Sequence, residues 1–283
     1  MNQENHGSIV TRLRARLRLR TRLRSVRSQL KPRLRIACYN LGYRMIRAHD
    51  GRPLPPASLV NLVIGSRELA WYQLGGIFMQ QAICTFLRRN GAPVESFRSM
   101  LDFGCGCGRI LRWWGGISGS CEIWGCDYNP RLIAWCRDNL SQIAKFEVND
   151  AEPPLKFPAG SFGLVYSYSV FTHLAAEKQR PWMEELVRVL RPGGMLLITV
   201  HGKRVAWRSG LAAEQIRELE ERGSLAYGED RSGSNPCGVY HSEAYMRDCE
   251  SLGLELVDFM AGGVRDTSEQ DMYLYRKVST PPA

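Results

Sequence analysis

The chain has 283 residues, is 44% hydrophobic and contains no apolar run of the roughly eighteen residues that a membrane helix needs, so it suits one sizeable soluble domain with appendages. Its nine cysteines follow no regular spacing and no secretory apolar region precedes them, which excludes a disulfide scaffold and points to reduced thiols in a cytoplasmic protein. The net charge of +10 is local: eleven Lys or Arg and no acid fall between Arg12 and Arg35, leaving 27 basic beside 28 acidic residues elsewhere, too balanced a body for a nucleic-acid track.

Residues 1–50 form the basic segment. Within it Leu19, Leu23, Val26, Leu30 and Leu34 share one face of a helix that Pro32 interrupts, and guanidiniums occupy the other faces. Such a pattern fits an anionic membrane surface or an acidic partner bound through residues 12–35, and so a protein peripheral to the membrane. A phosphate-binding arm, a mitochondrial targeting peptide and a solvated tail are the competing readings. Residues 51–97 read as a helical cap: after GRPLPPASL comes LVIGSRELAWYQLGGIFMQQAICTFLRRNG, one or two helices ending at the stop pair Asn90-Gly91.

From residue 98 to the end, short β-rich runs alternate with helical patterns, the mark of a parallel sheet built from βαβ units. The predicted strands are SMLDF near Met100, EIWGCD ending at Asp127, KFEVND ending at Asp150, FGLVYS ending at Ser167 and MLLITV ending at Val200, with LELVDFM and QDMYLYRKV pairing as an antiparallel edge. The fold expected is α/β: a Rossmann-like, doubly wound, mostly parallel seven-stranded sheet with an antiparallel edge strand and N-terminal helices. Ligands of such a sheet gather at the carboxyl ends of its strands.

Those ends include MLDFGCGCGR at Met100 to Arg109. Cys105 and Cys107, one residue apart and without a second pair, do not have the spacing of a metal knuckle, and Cys121 and Cys126 flank a strand, so no metal is expected. The glycines explain the motif better. Between a strand and a predicted helix (RILRWWGG), Gly104, Gly106 and Gly108 permit positive φ and close approach of backbone to a ligand. Asp127, nineteen residues after Gly108 at the end of the next strand, is placed to accept hydrogen bonds from a ribose; its alternative is to cap the helix NPRLIAWC, a task Asn129 could also perform.

DFGCGCGR followed by CDYNP, NDAEPPLKF, FGLVYSYSVFTHL and ELVRVLRPGGMLLIT resembles the class I S-adenosylmethionine-dependent methyltransferases over about residues 97 to 202. The resemblance implies S-adenosyl-L-methionine as cofactor. It implies that Asp102 and the backbone of Phe103, Gly104, Cys105 and Gly106 cradle the methionine end, with Asp127 on the ribose and Tyr128 beside the adenine. Asp150 and the backbone of Ala151 would receive the adenine amine, and Ser167 and Tyr168 would close the pocket near the amino acid. One departure is Gly163, where the family usually carries aspartate.

A sulfonium methyl is already electrophilic, so positioning supplies most of the rate and a base is needed only for a hydroxyl or similar acceptor. His173, just past the fourth strand, is the candidate base; His201 and His241 are further candidates, and helix capping is the structural alternative for His173 and His241. The insertion at residues 202–253, with AAEQIRELEERG and YGEDRSGSNPCGVY, reads as a lid, and with Trp71 and Tyr72 it marks the expected acceptor pocket. S-Y-S-V after the fourth strand, in place of N-P-P-Y or D-P-P-Y, argues against amide or adenine nitrogens. The expected acceptor is a small molecule, sugar or lipid-linked glycan, and nucleic acid is disfavoured. Two rivals stand: a nicotinamide oxidoreductase, whose Tyr-x-x-x-Lys occurs only at Tyr273 to Lys277 in the last strand, and a non-catalytic nucleic-acid or membrane adaptor on the same fold.

Overall fold

The computed structural model describes residues 50–227, 238–248, 250–263 and 269–279. The Arg-rich segment, predicted to be helical, and the loop YGEDRSGSNPCGVY up to Cys237 lie outside the described residues, except for the loop's first residue Tyr227.

Parallel strands β1 (Ser99–Phe103), β2 (Glu122–Asp127), β3 (Lys145–Val148), β4 (Phe162–Ser167) and β5 (Leu190–Val200) join β8 (Leu254–Met260) and β9 (Asp271–Lys277) in one sheet of order β3-β2-β1-β4-β5-β9-β8. β9 runs antiparallel to both β5 and β8, which supplies the expected antiparallel edge. The chain leaves β1 toward β2 and β3 and then returns to β4 on the other side of β1. That reversal parts the connections above the carboxyl ends of β1 and β4 and leaves a crevice there.

Alternation along the strands divides the core into two layers. Met100, Leu164, Tyr166, Met195 and Leu197 face one side with Ile83 and Phe86, whereas Leu101, Phe103, Val165, Leu196 and Ile198 face the other with Trp182 and Leu186. Each such aliphatic side chain, fully buried, contributes about 1.5–3 kcal/mol. Ile83 and Phe86 belong to α2 (Leu69–Arg89), and Trp182 and Leu186 to α4 (Ala176–Val189); α1 (Ala57–Ile64) precedes them and α3 (Pro130–Leu140) joins β2 to β3. The cap region therefore holds two helices. α1 stops at Gly65, whose N–H donates to Asn61 O, and α2 stops at Asn90-Gly91 as predicted.

Two local features set the site's walls. α2 carries Gly76 where any Cβ would overlap the Arg109 carbonyl, so the helix lies directly against the glycine-rich turn. Arg112, fully buried, donates through Nε to Asp50 Oδ2 (2.5 Å) and through Nη2 to Asp50 Oδ1 (2.9 Å) and to the carbonyls of Arg52 and Pro53, tying the chain before α1 to the same turn.

The predicted helix RILRWWGG is instead a 3-10 segment at Leu111–Gly116. Its two tryptophans are poor helix formers and the Gly115-Gly116 pair ends it. β3 stops at Val148 rather than Asp150, because Asn149 turns the chain with a side-chain bond from Nδ2 to the Asp150 carbonyl (2.7 Å). The insertion folds into α5 (Lys203–Arg208), α6 (Ala213–Arg222), a β6 (Ser224–Tyr227) and β7 (Gly238–His241) hairpin, and α7 (Glu243–Arg247), around its own small core of Ala206, Leu211, Ile216, Leu219 and Tyr240. Among the described residues no helix is long and apolar enough to cross a membrane.

Candidate active site

Gly104, Gly106 and Gly108 all adopt positive φ, at +77°, +57° and +74°. At Gly106 a Cβ would also stand 2.8 Å from Val63 Cγ2, so α1 packs onto this turn only because glycine occupies it. The turn is anchored to β2: Cys126 O accepts from the N–H groups of Gly104 and Cys105, each at 2.9 Å, and Asp127 Oδ2 accepts from Gly106 N at 2.9 Å. Asp127 Oδ1 accepts from Asn129 N at 2.8 Å. Capping of α3 falls to Asn129, whose Oδ1 accepts from Arg131 N, so the capping alternative for Asp127 does not hold.

Above the turn lies a cavity of about 470 Å³, within the range of small-ligand pockets. Asp102, at the end of β1, lines it. Burial pushes the Asp102 carboxyl up to about 7 against the hydroxyl of Tyr166, which donates to it, with the nearby Asp127 charge adding to the rise. Tyr166 OH in turn accepts from Trp114 Nε1 at 2.8 Å, so a buried relay from Trp114 through Tyr166 orients the carboxyl. Burial likewise pushes Asp127 up to about 6, opposed by its bonds from Asn129 and Gly106. Two adjacent carboxyls held in low dielectric favour a cationic ligand.

Of the other predicted residues, Phe103, Gly104, Cys105, Gly106, Tyr128, Asp150, Ala151 and Tyr168 line the cavity. Ser167 does not: it is the last residue of β4, fully buried, and Tyr168 and Ser169 border the cavity in its place. Ser169 adopts φ +60° and sits in a ring of bonds in which Thr199 Oγ1 accepts from Ser169 N, Thr199 donates to Gln270 Oε1 and Gln270 Nε2 donates to Ser169 Oγ. Asn149, whose buried Oδ1 has no partner, together with Arg109, Lys178 and Gln270, also lines the cavity and was not anticipated from the sequence. Asn149 and Arg109 adjoin motif residues and could have been found; Gln270, on the approach to β9, carried no local signal. At Gly163 a Cβ would stand 2.9 Å from Arg191 Nη2, so an arginine crosses the position of the family's aspartate.

His173 and His201 line the cavity, their rings 6.4 Å apart. α4 begins after Ala175, so His173 is not its cap. Burial and the neighbouring His173 push His201 down to about 4. His241 is elsewhere: its Nε2 lies 2.6 Å from Gln179 Oε1, and Ser242 caps the following helix. Trp71 lines the cavity, whereas Tyr72 is buried with its hydroxyl donating to Cys107 O at 2.6 Å. No described residue of 202–253 borders the cavity; the wall expected there comes from Leu62, Val63 and Ile64 of α1, with Trp71 and Met79 of α2. Lys277 Nζ donates to the carbonyls of Val187 and Leu190, and neither it nor Tyr273 borders the cavity, which removes the structural basis of a nicotinamide Tyr-Lys pair. Cys105, Cys107, Cys121, Cys126 and Cys136 are buried free thiols, and among the described residues no group of three or more His, Cys, Asp or Glu could hold a metal.

Residues 101–198 match the family model described as a methyltransferase domain. A tRNA (carboxymethyluridine(34)-5-O)-methyltransferase from Arabidopsis thaliana is 40% identical over 103 residues, 36% of this chain and 23% of that protein. A malonyl-[acyl-carrier protein] O-methyltransferase from Enterobacter lignolyticus is 30% identical over 132 residues, 46% of this chain and 45% of that protein. The chain thus spans less than half the length of both relatives. Among solved structures, an S-adenosylmethionine dependent methyltransferase from Mesorhizobium loti shares the fold, with a TM-score of 0.52 at 16% identity over 69% of this chain and 97% of that one.

Residues 101–198 are thus a methyltransferase domain of the S-adenosylmethionine-dependent kind, carried on a sheet of the class I order with its glycine turn. The cofactor of this family is S-adenosyl-L-methionine.

Proposed function

We propose that the chain transfers the methyl group of S-adenosyl-L-methionine to an oxygen of a small-molecule, sugar or lipid-linked acceptor held in the same cavity. The observation that carries this reading is Asp127, bonded to the N–H of Gly106 and lining the cavity at the end of β2. The residues fit the cofactor in three ways: a turn whose glycines take positive φ, two buried carboxyls suited to a cation, and an orphaned buried acceptor on Asn149.

In this reading Asp102 and the backbone of Phe103 to Gly106 hold the methionine end, Asp127 the ribose, and Tyr128, Asp150 and Ala151 the adenine, with Tyr168 near the amino acid. Ser167 supports the pocket floor rather than touching ligand. When bound, the cofactor supplies an electrophilic methyl on a sulfonium. The chain aligns an acceptor with it and excludes water with the apolar wall of α1 and α2. A hydroxyl acceptor would pass its proton to His173; the other histidine of the cavity, His201, is held low by burial and by the neighbouring His173. Residues 12–35 would add attachment to an anionic surface or acidic partner.

Oxygen as the accepting atom is supported by the names of both relatives, each an O-methyltransferase. A tRNA acceptor is the second reading, favoured by the Arabidopsis relative and opposed by the near-neutral charge of the chain beyond residue 35. Incubation with S-[methyl-³H]adenosylmethionine and, separately, a deproteinised small-molecule and lipid extract or total tRNA tests it. Label in the extract is the expected result, label in tRNA alone would establish the second reading, and cofactor binding with no transfer to either would favour the adaptor. Tight binding of a nicotinamide dinucleotide with none of S-adenosylmethionine would overturn the assignment.

A further inference from the structure

Gln270, directly before β9, is almost wholly buried and places its side chain between Ser169 and His201 on the cavity wall. Which end of its amide faces the histidine is settled by Thr199. The Thr199 hydroxyl, fully buried, already accepts from Ser169 N at 2.8 Å, and Gln270 Oε1, 2.5 Å away, is the acceptor for its proton. A reversed amide would leave that buried proton without an acceptor, so Oε1 faces Thr199. Nε2 therefore faces the other way, donating to Ser169 Oγ at 2.7 Å and turning its second N–H toward His201 Nε2, 3.4 Å away.

An imidazole nitrogen that receives an N–H carries a lone pair, and the ring's single proton then sits on the other nitrogen. Protonating His201 at both nitrogens would set one N–H against another. That conflict adds to the burial and the nearby His173 that already keep the ring neutral. The backbone is fixed where the His201 carbonyl accepts from His241 N at 2.8 Å, and the rings of His173 and Tyr240 lie 6.4 and 5.8 Å from that of His201. His201 Nδ1 has no hydrogen bond among the described residues and, unlike Nδ1 of His241, is not enclosed. Its proton is thus open to a ligand in the cavity that His201 lines.

We propose that Gln270 is a positioning residue that holds His201 as the neutral Nδ1–H tautomer, and that His201 serves the methyl acceptor as a fixed hydrogen-bond donor. The second half rests on the methyl-transfer reading above. The group held is a lone pair on the acceptor, such as a carbonyl or ether oxygen beside the oxygen that takes the methyl. A donor aimed at the attacked oxygen would hold back the lone pair that must react, whereas one aimed at a neighbouring atom orients the acceptor without weakening it. The two cavity histidines then differ in kind: His173 is left to take a proton, and His201 gives a hydrogen bond while keeping its own.

Long-range ¹H–¹⁵N spectra of the full chain, labelled on histidine and recorded at neutral pH, show which ring nitrogen carries the proton. His201 is assigned by the signals lost in His201→Asn. Its proton is expected on Nδ1 alone. Gln270→Met removes the donor and should move the proton toward Nε2, the site free histidine prefers; Gln270→Glu, whose carboxylate can only accept, should place it on Nε2 outright. S-adenosylhomocysteine affinity reports whether each variant folds, and if Gln270→Met does not, Gln270→Glu decides. An Nδ1–H tautomer that persists in folded Gln270→Glu would overturn the role of Gln270. The wild-type spectrum needs no variant, so a proton found on Nε2 there overturns the proposal by itself.

Transfer of labelled methyl to whichever of the extract or tRNA accepts it separates donor from base. His201→Leu should lose roughly tenfold in rate, the worth of one hydrogen bond. Asparagine places an amide N–H where Nδ1–H stood but cannot take up a proton, so His201→Asn should recover part of that loss. Equal loss in the two variants, or none in either, would contradict the donor role. Failure of the wild-type chain to bind S-adenosylhomocysteine or to transfer methyl would instead defeat the methyl-transfer reading, and the tautomer would still be read in the same protein.

Discussion

Replacing Asp50 by alanine is expected to lower the folding free energy by about 3–5 kcal/mol, the cost of leaving a buried charge without its partner. Arg112 is completely enclosed and Asp50 nearly so, and the two share two hydrogen bonds at 2.5 and 2.9 Å. In a domain of this size the loss corresponds to roughly 10 °C in melting temperature. Because both groups are shielded from solvent, moderate salt should change the wild-type value little. The pair joins residues 62 apart and holds the chain entering α1 against the 3-10 segment, so the variant should also loosen the wall that α1 gives the cavity. Thermal melting followed by circular dichroism checks it; a shift below about 2 °C would mean that the pair contributes no more than a surface ion pair.

The second large effect is a pH dependence with opposite signs for stability and for ligand binding. Asp102 and Asp127 are raised in the folded chain to about 7 and about 6 from an ordinary 3.8, so the folded state holds protons that the unfolded chain has released. Their contribution to stability is therefore complete below about pH 4 and is lost as pH rises through 6 to 7. For Asp102 the loss is on the order of 4 kcal/mol, since every tenfold gain in proton affinity on folding is worth about 1.4 kcal/mol. A cation bound beside these carboxyls needs them ionised. S-adenosylmethionine affinity should thus rise from pH 5.5 to pH 8, by up to about tenfold per pH unit below pH 7, with proton release on binding in the acidic range. Calorimetric titrations in two buffers of different ionisation enthalpy measure both quantities. Asp102→Asn should flatten the profile, and a flat wild-type profile would show that the cofactor's charges do not meet these carboxyls.

Much of the fold is local in origin, and it is the local part that sequence patterns carry. Five parallel strands occur in their predicted order because short apolar runs, each ending at or followed by a glycine or a polar residue, leave few alternatives between helices. The glycines at 104, 106 and 108 take the positive φ their spacing suggested, and Asp127, at the end of the strand where it was expected, accepts from the N–H of Gly106. Patterns failed where a single side chain redirects the backbone, as Asn149 does at the end of β3, and where an apolar run hides weak helix formers, as at the paired tryptophans Trp113 and Trp114. They also failed for contacts between distant residues. Nothing local announces that Asp50 meets Arg112, that Gln270 reaches Ser169, or that α1 forms the cavity wall that was expected from the insertion.

Titration of the wild-type chain and of Asp127→Ala with S-adenosylhomocysteine tests the adenosyl slot itself. The alanine variant should bind more weakly by about 1–3 kcal/mol, roughly five- to more than a hundredfold, with its melting temperature close to wild type in the absence of ligand. Equal dissociation constants for the two chains would mean that the carboxylate at the end of β2 does not hold the ligand, and the site would have to be sought elsewhere.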